Sequence, residues 1–106
     1  MCGIVGYIGD KKAQSILLKC LRRLEYRGYD SCGVAVAASG LEVYKDAVRV
    51  EALGEAAPKF NGKIGVGHTR WATHGGPSQL NAHPHLNCAG NIAVVHNGII
   101  NNAGEL

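Results

Sequence analysis

Short apolar runs bounded by glycine alternate along the chain with one long segment of helical periodicity. Residues 3–9 are rich in Ile and Val and end at Gly9-Asp10, which is typical of a short buried strand. The segment from Lys11 to about Tyr26 predicts a helix, with Asp10 as a suitable N-cap, because its apolar residues recur at helical spacing. The predicted apolar face consists of Ala13, Ile16, Leu17, Cys20, Leu21 and Leu24.

Further strands are predicted where apolar runs lie between turn signals: Cys32–Ala38, Leu41–Lys45, Lys63–His68 and Asn91–His96. The first two are joined by the two-residue turn Ser39-Gly40. A weaker helix covers about Val48 to Ala57, since Pro58 cannot continue it. Residues 69–90 lack periodicity and are rich in His, Asn, Gly and Pro, as functional loops often are, and a further helix is expected to begin near the end of the chain. These proportions of helix and strand indicate an α+β fold.

Composition narrows the class of protein. The 106 residues are 46% hydrophobic and 18% charged, which is typical of one globular domain. The formal charge of +3 is small and scattered, so nucleic acid is not expected as a partner. A membrane span is not expected either, because the chain has no apolar run of about 18 residues. The four cysteines are irregularly spaced and no export signal precedes them, so we expect reduced thiols in the cytoplasm.

Cys2 is the first residue with distinctive chemistry. Removal of Met1 would leave a thiol and a free α-amine on one residue. The α-amine has a pKa of roughly 7.7–8, so it can accept the proton of the thiol near neutral pH. Cys2 would then supply both nucleophile and base. The alternative is a small buried cysteine that opens a strand.

Two loops carry further candidate groups. Residues 27–31 place Arg27, a phenol and a carboxylate in one turn, although Gly28 also suits an ordinary helix C-cap. Residues 67–75 end a strand in a loop with Arg70, two threonines and two histidines. The planar guanidinium suits a substrate's α-carboxylate, although it could also stack on Trp71 as a purely structural group.

Asn97-Gly98 follows the last predicted strand. Its side-chain amide and its unhindered backbone N–H are the two donors that an oxyanion hole requires. Asn-Gly is also a common hairpin turn. The five histidines raise the possibility of a metal, but their spacing and the absence of acidic residues between positions 55 and 105 favour ordinary loop or core histidines.

Five motifs occur in a single order along the chain: residues 2–6, 24–31, 67–75, 81–85 and 96–100. Together they resemble the glutaminase domain of the glutamine–fructose-6-phosphate aminotransferase family. That domain is a class II glutamine amidotransferase of the N-terminal-nucleophile hydrolase superfamily. The resemblance spans essentially the whole chain and implies the αββα four-layer sandwich, present here as its N-terminal half with about five strands in two sheets.

The resemblance also implies roles for individual residues. Cys2 resembles the nucleophile that attacks the glutamine amide, and Asn97 with Gly98 resembles the oxyanion hole. Arg70 resembles the residue that holds the α-carboxylate, within a pocket wall that includes Trp71, Thr73 and His74. Arg27 resembles a supporting residue in the turn beside the nucleophile. No cofactor and no metal are implied.

The implied substrate is L-glutamine. Its ammonia would pass to fructose 6-phosphate, which is handled by an isomerase domain outside this chain, in a parent protein that is expected to be a homo-oligomer. Residues 1–106 correspond to part of a domain roughly twice as long, so we expect a truncated glutaminase domain. The alternative is an inactive structural fragment with an incomplete glutamine pocket.

Overall fold

The computed structural model of the protein describes residues 2–71, 78–97 and 102–105, apart from the side chains of Arg27 and Ala103. The elements in these ranges are β1 (Gly3–Ile8), α1 (Ala13–Leu24), β2 (Ser31–Ala37), β3 (Leu41–Asp46), α2 (Val50–Ala56), β4 (Ile64–Arg70), β5 (His85–Leu86) and β6 (Ala93–Val94). Single 3₁₀ turns cover Glu25–Arg27 and Ala103–Glu105. An antiparallel sheet with two helices confirms the predicted α+β class.

Strand β4 is the centre of the main sheet. The order β1-β4-β2-β3 gives β4 an antiparallel neighbour on each side. Thr69, near the end of β4, lies opposite Gly3 on one side and Cys32 on the other. This register places Cys2, the residue before β1, beside the point where β4 leaves the sheet. Strands β5 and β6 pair separately as a two-stranded sheet.

The apolar core lies between α1, α2 and one face of the main sheet. Leu17 and Leu21 of α1 and Leu53 of α2 are fully buried there. Gly65 and Gly67 of β4 allow α1 to lie close to the sheet. A Cβ atom at Gly65 would lie 2.8 Å from Leu17 Cδ1, and one at Gly67 would lie 3.0 Å from Leu21 Cδ1. The helical periodicity therefore identified the covered face correctly.

The limits of several elements differ from those predicted. Helix α1 begins at Ala13, and its N-cap is Lys12 rather than Asp10, with no side-chain hydrogen bond at the cap. Its last predicted turn tightens into 3₁₀ geometry at Glu25–Arg27. Strand β4 runs two residues past the predicted end at His68, because Thr69 and Arg70 pair with β2.

The prediction of a buried strand over Asn91–His96 was wrong in extent and in burial. Strand β6 has only two residues, and Val94 is exposed. Its partner β5 lies inside the segment predicted to be a loop. The side-chain carboxamide oxygen of Asn87 accepts hydrogen bonds from the N–H groups of Asn91 and Ile92, both at 2.9 Å, and so closes a tight turn that limits the ladder. Near the end of the chain, where a helix is expected to begin, the described residues form a 3₁₀ turn over Ala103–Glu105.

Within the described ranges, the chain has no helix that is both long enough and apolar enough to cross a membrane.

Candidate active site

The Cys2 thiol lies at the edge of the main sheet, against the backbone of Trp71. The N–H of Trp71 donates to Sγ at 3.4 Å, and Sγ lies 3.9 Å from the carbonyl oxygen of the same residue. These contacts join positions 69 residues apart, because the β1–β4 register brings the two strand ends together. Cys2 is only half-buried, unlike the fully buried cysteine of the structural alternative.

Asn97 contacts the backbone of the same cysteine. Its side-chain Nδ2 donates to the carbonyl oxygen of Cys2 at 3.0 Å, and its Oδ1 lies 2.8 Å from Nε2 of His68. No residue other than glycine has a positive φ in the described part of the chain, so Asn97 does not adopt the left-handed conformation of a type I′ turn. Asn97 is exposed as a residue, and its side-chain amide is close to Cys2.

Three histidines stack beside Asn97. The ring centroids of His68 and His83 lie 4.2 Å apart at 22°, and those of His83 and His85 lie 4.3 Å apart at 53°. His83 Nδ1 accepts the backbone N–H of His96 at 3.3 Å, which ties the stack to the segment that carries Asn97. Gly33 of β2 makes room for this loop, since a Cβ atom there would collide with the carbonyl oxygen of His83.

The surroundings keep these histidines neutral. Burial lowers the pKa of His83 to about 3, with smaller contributions from the charges of His68, His85, Arg70 and Lys45. Burial also lowers the pKa of His68, while its hydrogen bond with Asn97 acts in the opposite direction. The same effect of burial, aided by nearby Lys45 and Arg70, lowers the pKa of His85. The stack is therefore an uncharged platform near neutral pH.

The cationic groups lie around this platform. Arg70 is only 8% exposed, and its backbone carbonyl accepts the N–H of Asp30 at 3.0 Å. Lys45 Nζ donates to the carbonyl oxygen of Ala82 at 2.9 Å, and burial lowers its pKa. Arg70 follows His68 by two positions on β4, so the two side chains extend from the same face of the strand.

Gly28 positions the peptide bond that contacts the thiol. A Cβ atom at this position would lie 2.7 Å from both the carbonyl carbon of Arg70 and the nitrogen of Trp71. The turn that follows α1 can therefore approach β4 this closely only with glycine at position 28. Trp71 itself is 47% exposed, and its ring contacts Tyr29 edge-on at 6.1 Å between centroids. Trp71 thus stacks edge-on with Tyr29 in the described residues.

The structure brings together Cys2, Arg70, Trp71 and Asn97 among the predicted site residues. Thr73, His74 and Gly98, as well as the side chain of Arg27, lie outside the described part of the chain. Sequence reasoning missed His68 and His83 as members of the site. Both occur in the motifs that carry the family resemblance, but His68 stands at the end of a predicted strand and His83 in a predicted loop, and neither position shows that the two rings stack.

The described ranges contain no group of three or more His, Cys, Asp or Glu side chains arranged to hold a metal ion. The stacked rings of His68, His83 and His85 contact one another face to face or tilted.

The described site is centred on a cysteine, with a carboxamide donor and an arginine nearby. Such a group of side chains suits an enzyme that uses a cysteine nucleophile. No protein-family model matches the chain. Curated relatives do. The chain is 60% identical over 105 residues to the glutamine–fructose-6-phosphate aminotransferase (isomerizing) of Caldanaerobacter subterraneus subsp. tengcongensis, an alignment that covers 96% of this chain and 17% of the relative.

Enzymes with the same name in Thermococcus kodakarensis and Bacillus subtilis are each 56% identical to the chain, over 110 and 108 residues, with 100% of this chain and 18% of the relative aligned. Over essentially its whole length the chain is thus similar to one part of these glutamine–fructose-6-phosphate aminotransferases. It spans less than a fifth of the length of these relatives, as the aligned shares of 17–18% show.

Proposed function

We propose that this chain carries the cysteine nucleophile of a glutaminase, which hydrolyses the side-chain amide of L-glutamine to glutamate and ammonia. The observation that carries the proposal is the position of Cys2, whose thiol accepts the Trp71 N–H while its carbonyl accepts the Asn97 amide. We take the substrate from the names of relatives that are at least 50% identical to the chain, because these names include glutamine and fructose 6-phosphate.

The reaction proceeds through a thioester. After removal of Met1, the α-amine of Cys2 takes the proton of its own thiol, and sulfur attacks the amide carbon. The carbonyl π electrons move to oxygen, where the amide donor of Asn97 and the backbone N–H of Gly98 stabilise the negative charge. The same amine then protonates the departing nitrogen, which leaves as ammonia. Water hydrolyses the thioester, releasing glutamate and the free thiol.

The substrate is held by its α-carboxylate. Arg70 offers two parallel N–H donors in a planar fork, which suits a carboxylate. Trp71, Thr73 and His74 form the pocket wall, and Arg27 supports the turn beside the nucleophile. Arg70 follows His68 by two positions on β4, so both side chains extend from the same face of the strand.

The proposed fold is the αββα sandwich of N-terminal-nucleophile hydrolases. The face of the main sheet opposite α1 leaves Ile4, Ile8 and Ile64 exposed by 43%, 77% and 49%. Apolar side chains grouped in this way on a sheet are normally covered by another layer, and a second sheet would cover them. In the complete polypeptide, a homo-oligomer, ammonia passes to fructose 6-phosphate on a separate domain and gives glucosamine 6-phosphate.

The test is hydrolysis of glutamine by the polypeptide as its gene encodes it, with Cys2→Ala as the variant and Cys88→Ala as the matched control. Cys88 is exposed, so its loss should leave the rate unchanged. Cys2→Ala should lower kcat by at least about 10³-fold while calorimetry still detects glutamine binding. Glutamate release by Cys2→Ala at the wild-type rate would contradict the proposal, as would active protein that retains Met1.

A further inference from the structure

His68 is a buried polar residue that the reaction above does not use. It lies in β4 with no exposed surface, two residues before Arg70 and directly opposite Ile4 of β1. Each ring nitrogen of a buried histidine that lacks a hydrogen-bond partner destabilises the folded protein, so buried histidines are usually hydrogen-bonded. Nε2 is satisfied by Asn97, whereas Nδ1 makes no hydrogen bond in the described part of the chain.

The hydrogen bonds fix which atom donates. Asn97 must present its NH₂ group to the Cys2 carbonyl, because a carbonyl oxygen only accepts. The amide oxygen of Asn97 therefore faces His68, and Nε2 of His68 must carry the hydrogen that it receives. Neutral His68 is thus the Nε2–H tautomer, with a bare Nδ1.

We propose that His68 is a positioning residue for the reaction, which holds the side-chain amide of Asn97 in the orientation that directs its NH₂ group toward Cys2. His83 stacks on the His68 ring and fixes its plane. The inference rests on the proposed glutaminase function, and it assigns to His68 an action through Asn97 rather than on the substrate.

The arrangement suits this role because Asn97 is itself exposed. With only the Cys2 contact, its amide could rotate about the Cβ–Cγ bond and exchange its NH₂ group for its oxygen. The Nε2–H of His68, whose ring is fully buried and stacked on His83, opposes that rotation. The Asn97 amide is therefore preorganised as the oxyanion donor before the substrate reacts.

A role for His68 as the general base is disfavoured by the same contacts. Its Nε2 is occupied as a donor to Asn97. The hydrogen-bond contacts of the Cys2 thiol in the described residues are with the backbone of Trp71. Burial also lowers the pKa of His68, so the ring is neutral near neutral pH.

The experiment compares three substitutions in the polypeptide as its gene encodes it. Gln places its amide nitrogen near the position of Nε2 and can still donate to Asn97. Asn is polar but too short to reach, and Leu has no donor. We expect His68→Asn and His68→Leu to lower kcat by about 10²-fold with KM within about threefold of wild type. His68→Gln should recover most of kcat.

A double-mutant cycle separates positioning from a general structural role. If His68 acts through Asn97, then His68→Leu should change kcat less than about twofold once Asn97 is already alanine. The cycle is repeated with His68→Asn, which provides the same comparison if the leucine variant does not fold.

Three results would overturn the inference. They are wild-type kcat in both His68→Asn and His68→Leu, equal losses for the Gln, Asn and Leu variants, and full additivity with Asn97→Ala. In each of these cases the wild-type protein still hydrolyses glutamine and Cys2→Ala does not, so the proposed function stands. A wild-type protein that releases no glutamate would instead contradict the proposed function, and the role of His68 with it.

Discussion

The two faces of β4 follow opposite rules. On one face Gly65 and Gly67 carry no side chain, and the space above them is filled by Leu17 and Leu21 of α1. On the other face, Ile64 at the start of the strand is exposed, and His68 and Arg70 at its end are buried polar groups. The first face is stabilised by apolar contact that depends on shape and volume, whereas the second depends on hydrogen bonds between particular atoms.

The two cysteines next to these faces show the same contrast. Cys32 lies on the α1 side, fully buried, and its thiol donates to the carbonyl oxygen of Val48 at 3.2 Å. Burial raises its pKa to about 12, helped by the charges of Glu25 and Asp46, so it stays a protonated and unreactive thiol. Cys2 is half-buried at the open edge of the sheet and receives an N–H donor. The difference is consistent with the proposed assignment of the nucleophile to Cys2, at the end of the polar face, and not to Cys32 in the apolar core.

Among the substitutions that test this contrast between the two faces, the largest change in KM for glutamine is expected at Arg70. If its fork holds the α-carboxylate of glutamine, Arg70→Lys removes a bidentate pair that a point charge cannot replace. The expected cost is about 2–5 kcal/mol of binding free energy, which raises KM for glutamine at least about thirtyfold. Steady-state kinetics of the encoded polypeptide measure this directly.

The matched control is Arg23→Lys, the same exchange at an exposed position of α1. Its KM should equal that of the wild-type protein. A KM within twofold of wild type in Arg70→Lys would show that Arg70 has a structural role on the polar face and does not bind the carboxylate.

A smaller effect is expected in the pH dependence of stability. The pKa of His83 is about 3 in the folded protein, below the ordinary value of about 6.5, so the unfolded chain binds more protons between these values. The stabilisation is therefore complete above about pH 6.5 and is lost as the pH falls toward 3. For a fully shielded histidine the free energy of unfolding would fall by about 1.4 kcal/mol per pH unit, and His83 should give less because solvent screens this partly exposed ring.

Urea unfolding of the 106-residue chain at pH 7.5, 6 and 5, followed by the fluorescence of its single tryptophan, Trp71, measures this slope. His83→Gln should flatten the slope, and His96→Gln, a change at an exposed ring, should leave it as in wild type. Equal slopes in the wild type and His83→Gln would mean that His83 does not remain neutral in the folded protein.

The apolar face could be predicted from the sequence because its signal is local. Leu17 and Leu21 lie one helical turn apart, and their spacing alone predicts a shared buried face. The polar face has no such signal, because its contacts join distant positions. His68 and Asn97 are 29 residues apart, and Cys2 and Trp71 are 69 apart. Motif resemblance identified three of these four residues, but only the strand register shows how they meet.

Boundaries were less predictable for a related reason. The end of β4 at Arg70 depends on pairing with β2, and the two-residue β6 depends on the turn that Asn87 closes. Neither depends on the hydrophobicity of the strand itself. The packing of the His83 loop on Gly33 is similarly a property of two segments that the sequence keeps 50 positions apart.

The most direct test of the account is to identify the cysteine that an electrophilic glutamine analogue modifies. A chloroketone in place of the side-chain amide would be attacked by the nucleophile, which displaces chloride and forms a stable thioether. Peptide mass mapping of the encoded polypeptide should find the label on Cys2, with Cys20, Cys32 and Cys88 unmodified, and excess glutamine should prevent it. Label on another cysteine while Cys2 stays free, in protein that hydrolyses glutamine, would contradict the assignment of the active site to this face of the sheet.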